Sequence, residues 1–210
     1  TLQNSVNDKG NDVYKLDQMA PLNGIEHGDA HSAIGDVIAT VGIAKIIANK
    51  APNVWKASML TMDKNQSLDL IQKELFFCTN EYFYGRSRPY VQTFVCQHPQ
   101  YQWPLCYDLK HDPGPYLAMS IKELTVAMKK QPKFIRTVRH NKHPVIMNPS
   151  YGNKFDEYKM IGSAKLEARA KLIRKHKEFA DKIISIKRSE AEEKEQFKSQ
   201  EDLYNEESIY

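Results

Sequence analysis

The spacing of apolar residues changes twice along the 210 residues of this chain, and that change constrains its fold more than any other feature. After Ala33 the spacing is helical, after Phe76 short alternating stretches follow, and from Ser163 the spacing is helical again. We therefore predict an α+β chain with a helical first part, a small antiparallel β barrel and a helical last part.

Four helices are predicted before residue 76. The longest has Asp29 as its N-cap and ends before Pro52. Its apolar stripe consists of Ile34, Val37, Ile38, Val41, Ala44 and Ala48. The shorter helices are expected after Tyr14, ending before Pro21, and over 54–61 and 66–75.

The middle of the chain is predicted to contain short strands. Alternation over 91–96 indicates a strand with one buried face, and similar patterns indicate strands at 105–109, 134–138 and 145–147. The three cysteines lack metal or nucleophile spacing, so we expect them to be buried and structural.

Two further helices are predicted in the second half of the chain. A capping box formed by Ser120 and Glu123 opens a short helix among the strands. A single amphipathic helix is expected from Ser163 to about Arg188. The acidic stretch 190–207 is expected to be an exposed segment.

Positive charge is concentrated in the middle of the chain. Residues 76–148 hold 10 Lys and Arg against 4 Asp and Glu, and residues 149–188 hold 11 against 5, so each segment has a net charge of +6. Residues 1–75 carry −2 and residues 189–210 carry −6. A basic stretch can be an ordinary solvated surface, and a surface that binds a polyanion is the more specific alternative.

Composition excludes several classes of protein. No apolar run reaches the ~18 residues that a membrane helix needs, and residues 1–11 are too polar for a signal peptide. An odd number of cysteines without CxxC spacing fits a reduced compartment better than a disulfide framework. We expect a cytoplasmic protein with no membrane partner.

One segment combines residues suited to hydrolysis. His31 is predicted at the junction of a polar loop and a helix, and Asp36 follows within the first turns of that helix. A histidine there can act as base toward a water, while a carboxylate can hold a hard divalent cation. Taken alone the pair is weak, because a surface histidine beside a helix-capping aspartate has the same spacing.

Aromatic and cationic residues alternate over 82–90, and Tyr101 and Trp103 add two rings. A basic cluster follows at residues 136–142. Rings that stack on bases and cations that follow phosphates are typical of single-strand binding. The alternative is that some rings fill the core, as we expect for Phe83, Phe94 and Tyr107.

The order of several segments resembles a known family. These are Tyr14-Lys-Leu-Asp-Gln-Met, Asn23-Gly-Ile-Glu-His27-Gly-Asp-Ala-His31-Ser-Ala-Ile-Gly-Asp36, His98-Pro99, Asp108-Leu109, Val138-Arg-His-Asn141-Lys142-His-Pro144-Val145 and Asp202-Leu-Tyr-Asn205. Together they resemble bacterial exodeoxyribonuclease I, and the run around His31 is the most specific part. The resemblance spans nearly the whole chain.

The resemblance implies three domains around a channel for single-stranded DNA. Residues 1–75 would be the C-terminal helical part of a ribonuclease H-like exonuclease domain of the DEDD superfamily. Residues 76–148 would be an SH3-like barrel, and residues 149–210 the start of an all-helical domain. The implied activity is 3′-to-5′ degradation of single-stranded DNA to 5′-mononucleotides with two magnesium ions.

The resemblance also implies roles for individual residues. His31 would be the general base and Asp36 the last acidic metal ligand. The implied DNA contacts are Lys15, Lys64 or Asn65 in a basic turn, Gln102 or Trp103, Arg136 and Asn141. Single-stranded-DNA-binding protein is an implied protein partner, and a monomer is expected.

The family's other metal-binding carboxylates have no counterpart in this sequence. The chain therefore resembles an internal piece of the enzyme, and we expect little or no catalysis from it alone. Two alternatives remain open: a non-catalytic module that binds single-stranded DNA, and a protein-interaction fragment whose basic face meets an acidic partner.

Overall fold

The computed structural model describes residues 2–26, 32–83 and 86–207. The helices are α1 Leu16–Leu22, α2 Ala33–Lys50, α3 Pro52–Leu60, α4 Lys64–Lys73, α5 Pro113–Ala118, α6 Ile121–Lys129, α7 Asp156–Lys159, α8 Ser163–Lys175 and α9 Lys177–Glu207, with a 3₁₀ turn at Pro149–Lys154. The strands are β1 Ser5–Val6, β2 Asp12–Val13, β3 Phe77–Phe83, β4 Arg86–Gln97, β5 Pro104–Asp108, β6 Ile135–Thr137 and β7 Ile146–Met147. The order is helical, then β-rich, then helical, as predicted.

The first part of the chain begins with a two-stranded hairpin and the pair α1 and α2. The hydroxyl of Ser32 accepts the N–H of Gly35 (3.0 Å) and caps α2, whereas the predicted cap Asp29 lies outside the described residues. The helix α1 includes Pro21, although we expected it to end earlier. Pro21 lacks only the one N–H that would donate to the carbonyl oxygen of Asp17, and α1 ends one residue later.

Part of the apolar stripe on α2 is exposed. Ile34 and Val37 are 75% and 62% exposed, and Ile38 and Val41 are also exposed, while Gly35 and Ala39 are buried. The periodicity correctly predicted a helix. Among the described residues, however, large parts of these four side chains remain uncovered.

Five antiparallel strands form the central sheet in the order β6-β5-β4-β3-β7. Cys78 pairs with Val91 in β3 and β4, and Phe94 pairs with Cys106 in β4 and β5. The register shifts after Phe94, which indicates a bulge in β4. The strands β6 and β7 are the two edges of the described sheet, so its SH3-like barrel class stays a prediction.

The strand β4 is buried on both sides, which corrects the expected half-buried strand. Val91, Gln92 and Thr93 are all inaccessible. One side of the sheet packs on a large apolar cluster that includes α8 and α9, and the other side packs on a smaller cluster around Ile71 of α4. The polar Gln92 is accommodated because its Nε2 donates to Thr79 Oγ1 (2.7 Å).

The predicted last helix is interrupted once. It ends at Lys175 and restarts at Lys177, where the His176 ring nitrogen Nδ1 accepts the N–H of Phe179 (3.2 Å). The predicted apolar stripe still packs inward, because Leu166, Ala170, Ile173 and Ile183 are buried. The acidic stretch, expected as an exposed segment, is helical to Glu207.

A buried polar junction attaches the C-terminal helices to the sheet. The Tyr158 hydroxyl donates to Asp108 Oδ1 (2.8 Å), and Lys110 Nζ lies 3.7 Å from Asp108 Oδ2. Arg169 of α8 donates to the carbonyl oxygens of Leu109 (2.7 Å) and Lys110 (3.0 Å). Burial raises the pKa of the Asp108 carboxyl, and the nearby Lys110 opposes that shift.

This junction predicts a pH effect on stability. Because the pKa of folded Asp108 exceeds its usual value of 3.8, the folded chain keeps this proton to higher pH than the unfolded chain does. The resulting stabilisation is complete below pH 3.8 and is lost as pH rises through the folded pKa. The free energy of unfolding of Asp108→Asn minus that of the native chain should therefore increase as pH rises. Urea unfolding of both proteins from about pH 4 to about pH 8 measures this, and a difference that does not change with pH would contradict it.

The three cysteines are buried, as the sequence predicted. Cys78, Cys96 and Cys106 are free and buried. In the ranges that the structure describes, no helix has both the length and the apolar character needed to cross a membrane.

Candidate nucleic-acid interface

The segment 138–145 between β6 and β7, hereafter the basic turn, presents cations at the surface. Its start is anchored because Val138 is buried and its N–H donates to the carbonyl oxygen of Pro104 (2.9 Å). Within the turn, the N–H of Lys142 donates to the carbonyl oxygen of Arg139 (3.0 Å). Arg139, Asn141 and Lys142 are exposed. The turn is therefore attached to the sheet while its charged side chains face solvent.

A cleft of about 310 Å³, hereafter the α4 cleft, separates the basic turn from the start of α4. Its lining includes Lys64 and Asn141, which are far apart in the sequence, together with His140 and His143. Partial burial lowers the pKa of His140, and the nearby Lys64 ammonium lowers it further. Two of the predicted DNA-contacting residues thus line the same cleft.

The start of α4 is held rigidly at this cleft. Asp63 Oδ1 accepts the N–H groups of Asn65 (2.8 Å) and Gln66 (2.9 Å). The buried Ser67 hydroxyl donates to the carbonyl oxygens of Thr61 (3.1 Å) and Asp63 (2.9 Å). Asn65, also a predicted contact, is exposed on the helix next to Lys64 but is not part of the cleft lining.

A second cleft of about 520 Å³, hereafter the β3 cleft, lies along the same turn. Arg139, Lys142 and His143 line it together with Asn80 and Glu81 of β3. Because His143 lines both clefts, the basic turn forms a wall between them.

Three rings and one guanidinium, hereafter the aromatic stack, line up beside the basic turn. The rings of His98 and Tyr101 lie 4.8 Å apart, and those of Tyr101 and Trp103 also lie 4.8 Å apart at an interplanar angle of 24°. The Arg139 guanidinium is 5.1 Å from the centre of the Trp103 ring. Tyr101 is exposed. The predicted contact Trp103 is therefore joined to the basic turn through Arg139.

Arg136, another predicted DNA contact, is engaged within the protein. Its Nη2 lies 2.7 Å from Glu81 Oε2, and its guanidinium lies 3.3 Å from the centre of the Tyr90 ring. Its side chain is only 17% exposed. The structure does not bring Arg136 into the lining of the α4 cleft or the β3 cleft.

Lys15 precedes α1 and is exposed. The neighbouring segment docks on the sheet, because the Tyr82 hydroxyl donates to the carbonyl oxygen of Asp12 (2.5 Å) and the Tyr14 and Tyr82 rings meet edge to face at 5.0 Å. Lys15 is not among the residues that line the α4 cleft or the β3 cleft.

Of the predicted catalytic pair, the structure describes only Asp36. His31 lies outside the described residues, and Asp36 is exposed in the first turn of α2. Among the described side chains, no group of three or more His, Cys, Asp or Glu could hold a metal ion. The described residues therefore do not by themselves fit a pair of magnesium ions, which needs several carboxylates.

The structure also places His140 and His143 in the lining of the α4 cleft, although no role was assigned to them from the sequence. The signal available was their position next to Asn141 in a basic segment. Nothing in their spacing indicated that α4 lies opposite.

An apolar cleft of about 450 Å³ lies between α3 and β7. Val54, Ala57 and Leu60 of α3 line one part of it, and Phe76 and Ile146 line another. Lys56 and Glu74 are the charged residues in its lining. This cleft suits an apolar side chain better than a phosphate.

The chain is similar to known proteins in sequence and in fold. No family model matches the chain. Exodeoxyribonuclease I of Escherichia coli strain K12 is 34% identical over 65 residues, which are 31% of this chain and 14% of that protein. The matched part is thus a small share of its curated relative.

Solved structures match most of the chain. Exonuclease I from Methylocaldum szegediense superimposes with a TM-score of 0.67 at 21% identity, covering 89% of this chain and 43% of that one. Escherichia coli exonuclease I in complex with a dT13 oligonucleotide gives 0.61 at 20% identity, covering 88% and 43%. The fold is therefore that of part of these proteins, and the chain spans less than half of their length.

Proposed function

We propose that this chain is the part of an exodeoxyribonuclease I-type enzyme that holds single-stranded DNA. The observation that carries the proposal is the α4 cleft, which Lys64 of α4 and Asn141 of the basic turn both line. The similarity to exonuclease I in sequence and fold supports it. The proposed domains are 1–75 for the exonuclease part, 76–148 for an SH3-like domain and 149–210 for the helical domain.

In this proposal cations and rings divide the recognition of the strand. Lys64, Arg139 and Lys142 neutralise DNA phosphates along the basic turn. Asn141 donates hydrogen bonds to the sugar–phosphate backbone of the DNA. The aromatic stack lies beside these cations, and because His98 and Trp103 pack on the Tyr101 ring, we propose that its exposed edge contacts unpaired bases, which favours single strands over duplex. Trp103 contributes to this stack, with Tyr101 as its exposed member.

The remaining predicted contacts take more peripheral roles. Asn65 follows Lys64 on the exposed start of α4 and is proposed to contact the same stretch of backbone. Lys15, which lies in the proposed exonuclease part, is proposed to contact DNA there. Arg136 is proposed to support the sheet beside the basic turn rather than contact DNA directly, because Glu81 neutralises its charge and the Tyr90 ring packs on its guanidinium.

For catalysis we propose His31 as the base that accepts a proton from the attacking water. Asp36 would supply one carboxylate to a magnesium site, and the other ligands have to come from residues other than those described. Bound magnesium would supply charge stabilisation at the phosphate. The chain by itself is therefore expected to bind DNA without cleaving it at a normal rate.

The test is a binding assay that also records product length. A 3′-ended single-stranded oligonucleotide is titrated at several salt concentrations, with and without magnesium. We expect salt-sensitive binding of an intact oligonucleotide, because counterions are released from the phosphates. Magnesium-dependent loss of mononucleotides from the 3′ end would show a working site in this chain and contradict our account of the metal ligands. Absence of binding at low salt would remove the proposal.

A protein ligand is the second candidate, favoured by the apolar cleft between α3 and β7. The resemblance implies an association with single-stranded-DNA-binding protein, and this cleft could accept an apolar side chain from such a partner. Titration of the chain with that protein in the absence of DNA tests the idea, and Leu60→Asp, placed in the cleft lining, should abolish the binding. Binding that survives Leu60→Asp would exclude this cleft.

A further inference from the structure

Arg174 of α8 connects the three parts of the chain. Its Nε–H donates to Thr93 Oγ1 (3.1 Å) in β4, and Nη1 donates to the carbonyl oxygen of Gln72 (2.8 Å). Nη2 donates to the carbonyl oxygens of Ile71 (3.2 Å) and Glu74. One guanidinium therefore bonds to the sheet and to the C-terminal end of α4.

These carbonyl groups need a donor from outside α4. The last four carbonyl groups of a helix have no partner within it, and α4 ends at Lys73. A cation at this end also interacts favourably with the helix dipole. Thr93 strengthens the same joint, because its hydroxyl donates to the carbonyl oxygen of Leu75 (2.6 Å). The planar, five-donor guanidinium matches this set of acceptors, whereas a lysine ammonium would reach fewer of them.

The opposite end of α4 forms the α4 cleft. The helix has 10 residues and is therefore about 15 Å long, with Lys64 first and its C-terminal end at Arg174. Ile71, near that C-terminal end, is fully buried, so this end of the helix is packed in the interior. A shift at its C-terminal end would change where Lys64 lies relative to the basic turn.

We propose that Arg174 is a positioning residue for the DNA contact at Lys64. It holds α4 against β4 and α8, so that Lys64 faces the basic turn across the α4 cleft. Arg174 does not line that cleft, and its N–H groups are directed at carbonyl and hydroxyl oxygens of the protein. The inference rests on the proposed function, because it requires the α4 cleft to bind DNA.

A double-mutant cycle in the 210-residue chain tests the inference. The native chain, Lys64→Ala, Arg174→Ala and the double variant are titrated with a fluorescent oligothymidylate at fixed salt. We expect Lys64→Ala to weaken binding about fivefold in the native background, from the loss of one phosphate contact. Arg174→Ala should weaken it by a similar factor, and the double variant should be within about twofold of Arg174→Ala alone.

Arg169→Ala is the matched control. Arg169 lies on the same helix and also donates to two backbone carbonyls, but it connects α8 to the end of β5 rather than to α4. We expect Arg169→Ala to bind DNA with native affinity. In the Arg169→Ala background, Lys64→Ala should weaken binding by the same factor as in the native chain. If Arg174→Ala does not fold, Arg174→Lys replaces it in the cycle, because it keeps the positive charge. In the Arg174→Lys background, Lys64→Ala should weaken DNA binding by a smaller factor than in the native chain.

The outcomes separate this inference from the proposed function. The inference fails if Lys64→Ala weakens DNA binding by the same factor with and without Arg174. It also fails if Arg169→Ala weakens binding as much as Arg174→Ala does, because Arg174 then acts only through general stability. If Lys64→Ala has no effect in the native chain, the α4 cleft is not a DNA site, and the proposed function fails at this cleft together with the inference.

Discussion

Replacing Lys64, Arg139 and Lys142 together with glutamine is expected to weaken binding of single-stranded DNA by about 100-fold at ~0.1 M salt. All three side chains are exposed around the basic turn, and Lys64 lines the α4 cleft while Arg139 and Lys142 line the β3 cleft. Each phosphate contact releases about 0.7 counterions for a single strand, so the salt dependence should become shallower by about 2 in the log–log slope. Fluorescence anisotropy against salt measures both quantities.

The matched control removes the same charge elsewhere. Lys122, Lys129 and Lys130 are exposed on and after α6, and glutamine at all three changes the net charge equally. This variant should keep its affinity within about threefold, because unpaired surface charges contribute only through long-range potential. Equal weakening by both triple variants would show that binding follows net charge and would contradict a defined interface at the basic turn.

Phe179→Ala is expected to destabilise the whole chain by about 3–5 kcal/mol. The side chain is fully buried at the start of α9, and its ring lies 6.1 Å from the Tyr107 ring of β5 in an edge-to-face arrangement. Its removal leaves a cavity between the sheet and the C-terminal helices. Thermal unfolding should remain a single transition, with a Tm lower by about 10 °C.

Leu172→Ala provides the comparison on the neighbouring helix. Leu172 is exposed on α8, so its truncation should cost less than about 1 kcal/mol. Two unfolding transitions in Phe179→Ala, with the sheet unfolding at its native temperature, would contradict this prediction. The C-terminal helices would then be an independent folding unit. The continuous apolar cluster from Val91 to Ile183 argues for one unit.

The sequence was sufficient to predict those helices whose formation depends mainly on their own residues. The capping box at Ser120 and Glu123 is formed as predicted, because both groups lie within one turn. The helices α3 and α4 appear within a few residues of their predicted bounds. The strand β3 was missed, since Thr79, Asn80 and Glu81 hide its alternation and its order comes from pairing with β4 and β7.

Other errors arose where packing overrides the local pattern. The sequence of β4 alternates as a half-buried strand would, but helices cover both sides of the sheet. The break at His176 depends on a side-chain cap that periodicity does not show. The helix α5, which begins with Pro113 after an Asp112 cap, was also not predicted.

The sequence by itself determined the order of helical and β-rich parts, the basic middle of the chain and the resemblance to exodeoxyribonuclease I. These follow from periodicity, composition and short motifs, all of which are local along the chain. Only the tertiary structure placed Lys64 and Asn141 in one cleft, joined Trp103 to Arg139 and turned Arg136 toward Glu81. Such contacts join residues tens of positions apart, and they form because burying the faces of the sheet fixes where each helix and turn must lie.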